Sequence, residues 1–502
     1  SDQSRIGKLI KDKFGIVFDY NVYSGDMKVK QLLMLSSRDY NEIQSMTQDD
    51  IVTSYVNGST LLSLDKYVEY LPDFYIRFEN EIKRWRVVGR GTLYKWETDR
   101  PGCFYDVTQN NIAIRSDVLE KNNWIFPTEL AGWQSFLKRF TYEFNSKNSE
   151  APILGMVMPF GDSYGIEHLA ASFIEKNGGY LIAGANTCIF NLNTGRYEEM
   201  LTHEKVKESY RFFNHLYQDG TLDKECFTDT AESCIKKMKE GRALSSLLSG
   251  NELQKINNTL SQTGNENKQF CTLPLNQSTK NNTPPAINSS SYYSFGVTDK
   301  CKEPKRVFEM LNWMCTDEGQ IALQSGIEAV HWDWQEDKRV PLQPLIDSYA
   351  NEFCNKKEGI NAFQFAPIVN SVDSLGQPFD LMKMTEYQNQ YGTTKRQRYV
   401  YEKMGVDIPS SGISISSINS DTNVSLIQNI MIDPPTSYGQ LERTVKELMG
   451  QYVPQLICAT SDERFEEIYQ QMIASYSKMK YSRVVDEYNR LLNLKQNIVL
   501  EY

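Results

Sequence analysis

The chain has 502 residues, 40% of them hydrophobic and 24% charged, with 54 basic against 64 acidic side chains and a net charge of −10. Single cores stop growing near ~250–300 residues, so two lobes are expected. The acidic balance argues against a nucleic-acid surface, which rests on clustered Lys and Arg. No apolar run approaches the ~20 residues needed to span a bilayer, and no signal peptide is visible at the start, as in a trimmed mature form.

"SRIGKLIKDKFGIVFDYNVY" (4–23) places Ile6, Leu9 and Ile10 at helical spacing, with Gly15 ending the helix and "IVFDYNV" following as a strand. "KVKQLLMLSSRDYNEIQSMT" (28–47) repeats the pattern: helix, polar turn, and the short strand "EIQSM". Helix and strand alternating at this pace predict an α/β layer with a mostly parallel sheet. Residues 64–97 read as helix, a breaker at Pro72, a second helix and a hairpin around Gly89–Gly91. "NNIAIRSDVLEKNNW" (110–124) is a strand running into a helix, and "PTELAGWQSFLKRFTYEF" (127–144) is an amphipathic helix. "ILGMVMPFGD" (153–162) is a strand and loop, 203–222 a strong helix, and 228–248 a helix followed by a strand. The polar stretches "NNTLSQTGNENKQF" and "LPLNQSTKNNTPPAINSSS" read as an exposed connection. The chain returns as the strand "SYYSFGVT" (291–298) and is then largely helical to its end.

Chemical motifs are scarce. "GRGTLY" lacks the third glycine of a dinucleotide fingerprint, and no P-loop, H-E-x-x-H or G-x-S-x-G occurs. His168, His203, His215 and His331 are far apart, so a multi-histidine metal site needs three distant segments to converge. The nine cysteines show no C-x-x-C spacing and read as small buried hydrophobes. A carboxylate pair for glycoside hydrolysis needs no local signature, so 64 acids neither support nor exclude one. The chain holds 29 Tyr, 23 Phe and 7 Trp, enough to fill cores and still supply amphipathic contact surfaces.

Several segments, in order, resemble those of extracellular solute-binding proteins of ABC importers, the large carbohydrate-binding type of Gram-positive bacteria. "IGKLIKDKFGIVFDY" resembles the opening helix and strand. "MLSSRDYNEI" resembles the "SGDxPDI" loop, and "VVGRGTLYKWE" resembles "GKxYGxP". "IAIRSDVLEKNNWIFPTELAGWQSFLKRF", "YRFFNHLYQDGTL" and "VFEMLNWMCTDEGQIALQSGIEAVHW" each resemble later family segments. The match covers most of residues 1–335. Many relatives carry a D-x-D-x-N-G calcium loop after the helix equivalent to 132–144. Here the segment 145–151 has one acid, Glu150, so no calcium is expected there.

The resemblance implies an α/β, two-lobed periplasmic-binding-protein-like (type II) fold with hinge strands and a helical C-terminal portion. The lobes are expected at 1–114 plus 292–335 and at 115–291 plus 336–502. Crossing strands are expected near "NNIAIR" and "SYYSFG", with a later return near "FQFAPIV" (363–369). It implies capture of a carbohydrate, an oligosaccharide above all, in the inter-lobe cleft and delivery to permease subunits, with no catalysis, cofactor or metal. A peptide or other small solute in the same cleft is the alternative, and a carbohydrate-active hydrolase the third reading. The implied setting is a lipid-anchored monomer outside the cytoplasmic membrane, or a periplasmic protein.

A pyranose pairs C–H faces with a hydroxyl rim, so its site needs ring faces and polar edges. Asp39 and Tyr40 lie in a helix-to-strand turn, where they either reach the cleft or brace the turn. Trp96 follows the expected hairpin and is read as a cleft ring. Asp162 and Tyr164 sit in a Gly-flanked loop after a strand. Tyr292 and Tyr293 alternate along a crossing strand, so one faces the cleft. In "SGIEAVHWDWQED" (325–337), His331 reads as a hydrogen-bonded structural residue. Trp332 reads as a sugar-stacking ring, and Trp334 as lobe packing or cleft rim. Arg115 is expected to brace the hinge through an ion pair, and Trp85, Trp133 and Trp313 to be core.

Overall fold

The computed structural model describes residues 3–23, 27–47, 49–98, 111–146, 152–162, 180–184, 186–191, 193–248, 250–274, 294–350, 352–369, 371–406, 408, 430, 432 and 436–500. Its strands are β1 (Ile43–Met46), β2 (Trp96–Glu97), β3 (Asn111–Arg115), β4 (Leu154–Val157), β5 (Tyr180–Ala183) and β6 (Cys188–Asn191). They continue as β7 (Arg196–Glu199), β8 (Ala243–Ser246), β9 (Phe270–Pro274), β10 (Ser294–Val297), β11 (Trp332–Gln335) and β12 (Lys338–Pro341).

Two large hydrophobic clusters give the two lobes. The first draws on Ile6 to Trp96 and on Phe295 to Tyr387. The second draws on Ile112 to Leu273 and on Val400 to Leu492. The segment from Leu345 to Tyr387 therefore packs with the first lobe, whereas the sequence reading assigned everything after 335 to the second. The return to the second lobe comes just past Tyr391, where Thr394 caps the helix Lys395–Met404 in a reciprocal box with Gln397. "FQFAPIV" is not a crossing strand: Phe363, Phe365 and Val369 are buried in the first core.

The sheets differ from the parallel layer expected. β1, β10 and β2 form one antiparallel sheet in the first lobe. The order β4-β8-β3-β9 forms the main sheet of the second, where only β4 and β8 run parallel. The reason is connectivity. The chain leaves the first lobe after β2 and returns at β10, and it enters the second at β3 and leaves after β9. Strands that deliver and collect the chain at one edge must point in opposite directions.

Three local expectations also change. Residues 16–22 form no strand; Phe18 instead packs its ring against Phe363 and Phe365, at centroid distances of 5.8 and 4.7 Å. The expected hairpin at Gly89–Gly91 is a 3-10 turn, Val87–Gly89, closed by left-handed Arg90 (φ 50°). The polar "NNTLSQ" is the end of a helix, Gly250–Gln262, which buries Leu253, Ile256 and Leu260 at spacings of three and four. Among the described residues no helix is long and apolar enough to cross a membrane.

Candidate functional site

The strand registers show at which edge of each main sheet the chain crosses between the lobes. Ser294 is paired with both Met46 and Glu97, so β1 ends, β2 ends and β10 begins at one edge of the first-lobe sheet. Asn111 is paired with Pro274, and Ser246 with both Ala113 and Val157. The carboxyl ends of β4, β8 and β9 thus share an edge with the start of β3. The segments 98–110 and 275–293 join these two edges. The carboxyl ends of strands in α/β lobes are where ligands gather, because side chains there are not used to cover the sheet.

On the first-lobe edge, Gln31 fixes the end of β1. Its Nε2 donates to the Ser45 carbonyl at 3.0 Å, and its Oε1 accepts from the Thr47 N–H and hydroxyl at 3.1 and 2.9 Å. On β2, successive side chains point to opposite faces. Lys95 and Glu97 share one face. The Lys95 ammonium donates to Glu97 Oε1 at 2.6 Å and to Ser294 Oγ at 3.1 Å, and Arg84 pairs with Glu97 Oε2 at 2.9 Å. All four residues are buried. An ionic cluster thus binds β2 to β10 at the point where the chain leaves for the second lobe.

Trp96 points the other way, and here the sequence reading is corrected. Its ring is fully buried, its Nε1 donates to the Phe365 carbonyl at 2.6 Å, and it stacks on Phe295 at 6.3 Å. Tyr40 is corrected too. It is buried, its hydroxyl donates to Asp299 Oδ1 at 2.7 Å, and burial followed by that contact raises its pKa. Tyr40 and the exposed Asp39 lie beside Val297–Asp299, the opposite edge of the sheet from the junction.

Trp332 is buried, with Nε1 donating to the Gly326 carbonyl at 3.0 Å and the Arg339 guanidinium 5.6 Å from its ring centre. It is a packing residue, not an open stacking face. Trp334 stands edge-on to it at 5.5 Å and keeps 39% of its surface exposed. Two apart on β11, the two indoles lie on one face of the strand, with their ring planes at 90°. His331 is fully buried and structural, as expected. Its Nδ1 accepts the Ile327 N–H at 2.9 Å, which fixes the proton on Nε2, 2.9 Å from Glu358 Oε2. Glu358 also pairs with Arg5 at 2.7 Å, tying the first helix to this turn. Gly326 is required here: at φ 85° it brings its backbone so near the imidazole that a Cβ would lie 2.5 Å from the ring.

On the second-lobe edge, the loop after β4 is tightly held. The Gly161 N–H donates to the Asp229 carbonyl at 2.8 Å, and Asp162 Oδ2 accepts the Ala231 N–H at 2.9 Å in the first turn of the helix Ala231–Lys239. Asp162 is half-buried and braces this helix start. Tyr164, Tyr292 and Tyr293 lie outside the described residues, as do 147–151 of the segment where a calcium loop is not expected. Arg115 is in a brace, paired with Asp117 at 2.6 Å and donating to the Gly241 carbonyl at 2.6 Å, but at the sheet edge away from the junction. Trp85, Trp133 and Trp313 are buried in the cores.

Among the described residues, one group of carboxylates has the spacing of a metal site: Asp223, Glu225 and Asp229. The Lys237 ammonium sits among them at 2.7 Å from each. Burial pulls its pKa down, but the three carboxylates outweigh this and raise it. The cationic partner these acids need is supplied by the chain itself. Sequence reasoning missed this cluster and the Lys95–Glu97–Arg84 group; each joins residues whose spacing carries no motif.

No protein-family model and no curated protein sequence matches the chain. Solved structures do. The alginate-binding protein AlgQ2 without calcium ion aligns over 98% of this chain and 95% of its own, with TM-score 0.61 and 13% identity. An HMO-binding, ABC-transporter-associated solute-binding protein from Bifidobacterium longum infantis aligns over 98% and 95%, with TM-score 0.60 and 12% identity. The S. pneumoniae ABC-transporter substrate-binding protein FusA, an EF-hand mutant in complex with fructo-nystose, aligns over 99% and 96%, with TM-score 0.59 and 13% identity. The chain has the two-lobed fold of ABC-transporter solute-binding proteins.

Proposed function

We propose that the protein captures a carbohydrate, above all an oligosaccharide, between its lobes and hands it to the membrane-spanning subunits of an ABC importer. The observation that carries this reading is the two-lobed fold itself, with the chain crossing between lobes after β2 and after β9, a fold whose solved examples are named for alginate, HMO and fructo-nystose. Affinity comes from hydroxyl-binding polar groups and ring faces at this junction, with closure of the lobes as the hinge step. Asp162 and the exposed Trp334, together with Tyr164, Tyr292 and Tyr293, are the residues we assign to ligand. Tyr40, Trp96 and Trp332 are withdrawn from that set by their burial, and the exposed Asp39 stays in it. The same reading makes the protein a monomer outside the cytoplasmic membrane, lipid-anchored in its full-length form, and not an enzyme.

A calorimetric panel of oligosaccharides and peptides tests the ligand class. Heat of binding for an oligosaccharide, with no product formed, supports the reading. Binding of peptides alone, or release of shorter sugars, overturns it. Within the panel, Trp334→Ala is expected to weaken the binding sugar about tenfold, the scale of one aromatic contact, with an unchanged melting midpoint. Unchanged affinity removes Trp334 from the site.

A further inference from the structure

In the second lobe, a carboxyl group is buried among hydroxyls, and among the described residues no ammonium or guanidinium is paired to it. Glu442, on the helix Ser437–Ile457, is 8% exposed. Its Oε1 lies 2.5 Å from the Tyr488 hydroxyl and 3.2 Å from Thr187 Oγ1. Thr187 Oγ1 is in turn 2.5 Å from the Gly184 carbonyl and 2.5 Å from the Tyr481 hydroxyl, whose oxygen is 3.8 Å from Cys188 Sγ. A carbonyl can only accept, so the one Thr187 proton goes to Gly184, the nearer acceptor. The Tyr481 proton goes to Thr187. The contact between Glu442 and Thr187 then has no proton unless Glu442 brings it.

We propose that Glu442 works as a neutral carboxylic acid, its own proton completing a hydrogen-bond chain that fastens the helices Ser437–Ile457 and Ser482–Leu500 to the β5–β6 turn, and that losing this proton loosens the fastening. The reach is wider than the second lobe. The helix Ser482–Leu500 lies along β7 and also touches the turn Val87–Gly89 of the first lobe. A proton on Glu442 therefore bears on how the two lobes are held, whatever solute lies between them.

The surroundings favour the neutral form. Tyr488 and Tyr197 stack at 5.0 Å over one side, and Gly184 lies so close to Tyr488 that a Cβ there would be 2.9 Å from the ring. Facing Glu442 are Thr187 and Cys188 from the β5–β6 turn and β6, Tyr481 and Tyr488 from the last helix and the residue before it, and the exposed Lys446 one turn along its own helix. Glu199 on β7 and Tyr476 on the helix Asp462–Met479 close the ring of titratable groups around Cys188 and Tyr481. Burial is the main cause that raises the Glu442 pKa; the Tyr488, Lys446 and Thr187 contacts oppose it in part. For an acid whose folded pKa is raised, the folded state holds the proton more tightly. Stability is then highest below the unfolded carboxyl value of ~4.3 and is lost as pH rises through the folded value.

The test compares the wild type with Glu442→Gln, an amide of the same shape, in thermal melts from pH 5 to pH 8. The expected result is equal midpoints at pH 5, and at pH 8 a midpoint higher in the variant by about 2 °C or more. Parallel pH profiles, or a variant that loses more at pH 8 than at pH 5, overturn the proposal. Infrared difference spectroscopy of the wild type supplies a readout that needs no stable variant. A protonated-carboxyl band that survives at neutral pH and vanishes on alkalinisation with a loss of helix packing supports the proposal; no such band at neutral pH overturns it.

Discussion

The two lobes bury polar groups in different ways. The first lobe buries ions in opposed sets: Arg84, Lys95 and Glu97 at its junction edge, and Arg339 with Asp373 at 2.9 Å. The helical end of the second lobe is joined by hydroxyls around Glu442, and the ammonium cage of Lys237 elsewhere in that lobe opens to solvent through Glu225, whose side chain is 72% exposed. A buried ion pair gains little over apolar packing but is expensive to break, because the surviving charge has no water. A hydroxyl chain is cheaper to disturb and responds to a single proton. The first lobe should therefore fail through lost partners and the second through lost protons.

The largest effect that would separate them is Glu97→Ala. It leaves two buried cations against each other, and the expected loss is about 3–5 kcal/mol, read as an early unfolding transition of the first lobe in a urea melt. A cost near that of a surface substitution would break the contrast. Lys237→Met comes next, at about 2–3 kcal/mol in the second lobe, smaller because water reaches Glu225 and solvates part of the stranded charge. A cost equal to that of Glu97→Ala would show that the cage is as dry as the junction. The smallest effect is titration of His331. Burial lowers its pKa, with Glu358 opposing. For a histidine held neutral in the fold, the stability it contributes is present above the unfolded value of ~6.5 and is lost as pH falls below it. Acidification from pH 7 to pH 5 should weaken the first lobe in the wild type more than in His331→Gln. This is opposite in sign to the change assigned to Glu442, so domain-resolved melts at two pH values sharpen the comparison directly.

The elements that were legible in the sequence are those with a complete local signal. The helix Glu204–Gln218 shows its buried face at Val206, Tyr210, Phe213 and Leu216, and β3 and β10 appear where the apolar runs place them. Strand direction was not legible, because it depends on which lobe the chain visits next. The candidate site was legible only as a class of side chain. Trp96 follows a turn, as a cleft ring would, but the alternation of β2 gives the junction face to Lys95 and Glu97 instead. Tyr40 sits in a turn of the right kind but is buried against Asp299, a partner 259 residues away that no local pattern shows. Trp332 and Trp334 do share a face of β11, but Trp332 is buried and only Trp334 is left exposed.

The interrupted first lobe also sets an order of assembly. Its core takes residues up to Trp96 and then waits for Phe295 and the chain through Tyr387, while the second core closes only with Leu492. Emerging from the ribosome or an export channel, residues 5–97 hold a sheet edge, β1, whose pairing partner β10 has yet to be made. Closing such long loops is slow, and unpaired edges invite association with other chains. Lys95 meets Ser294, Tyr40 meets Asp299 and Cys188 meets Tyr481 only after this delay. A holdase that shields the nascent first hundred residues would then raise the yield of folded protein more than any stabilising substitution within the finished lobes.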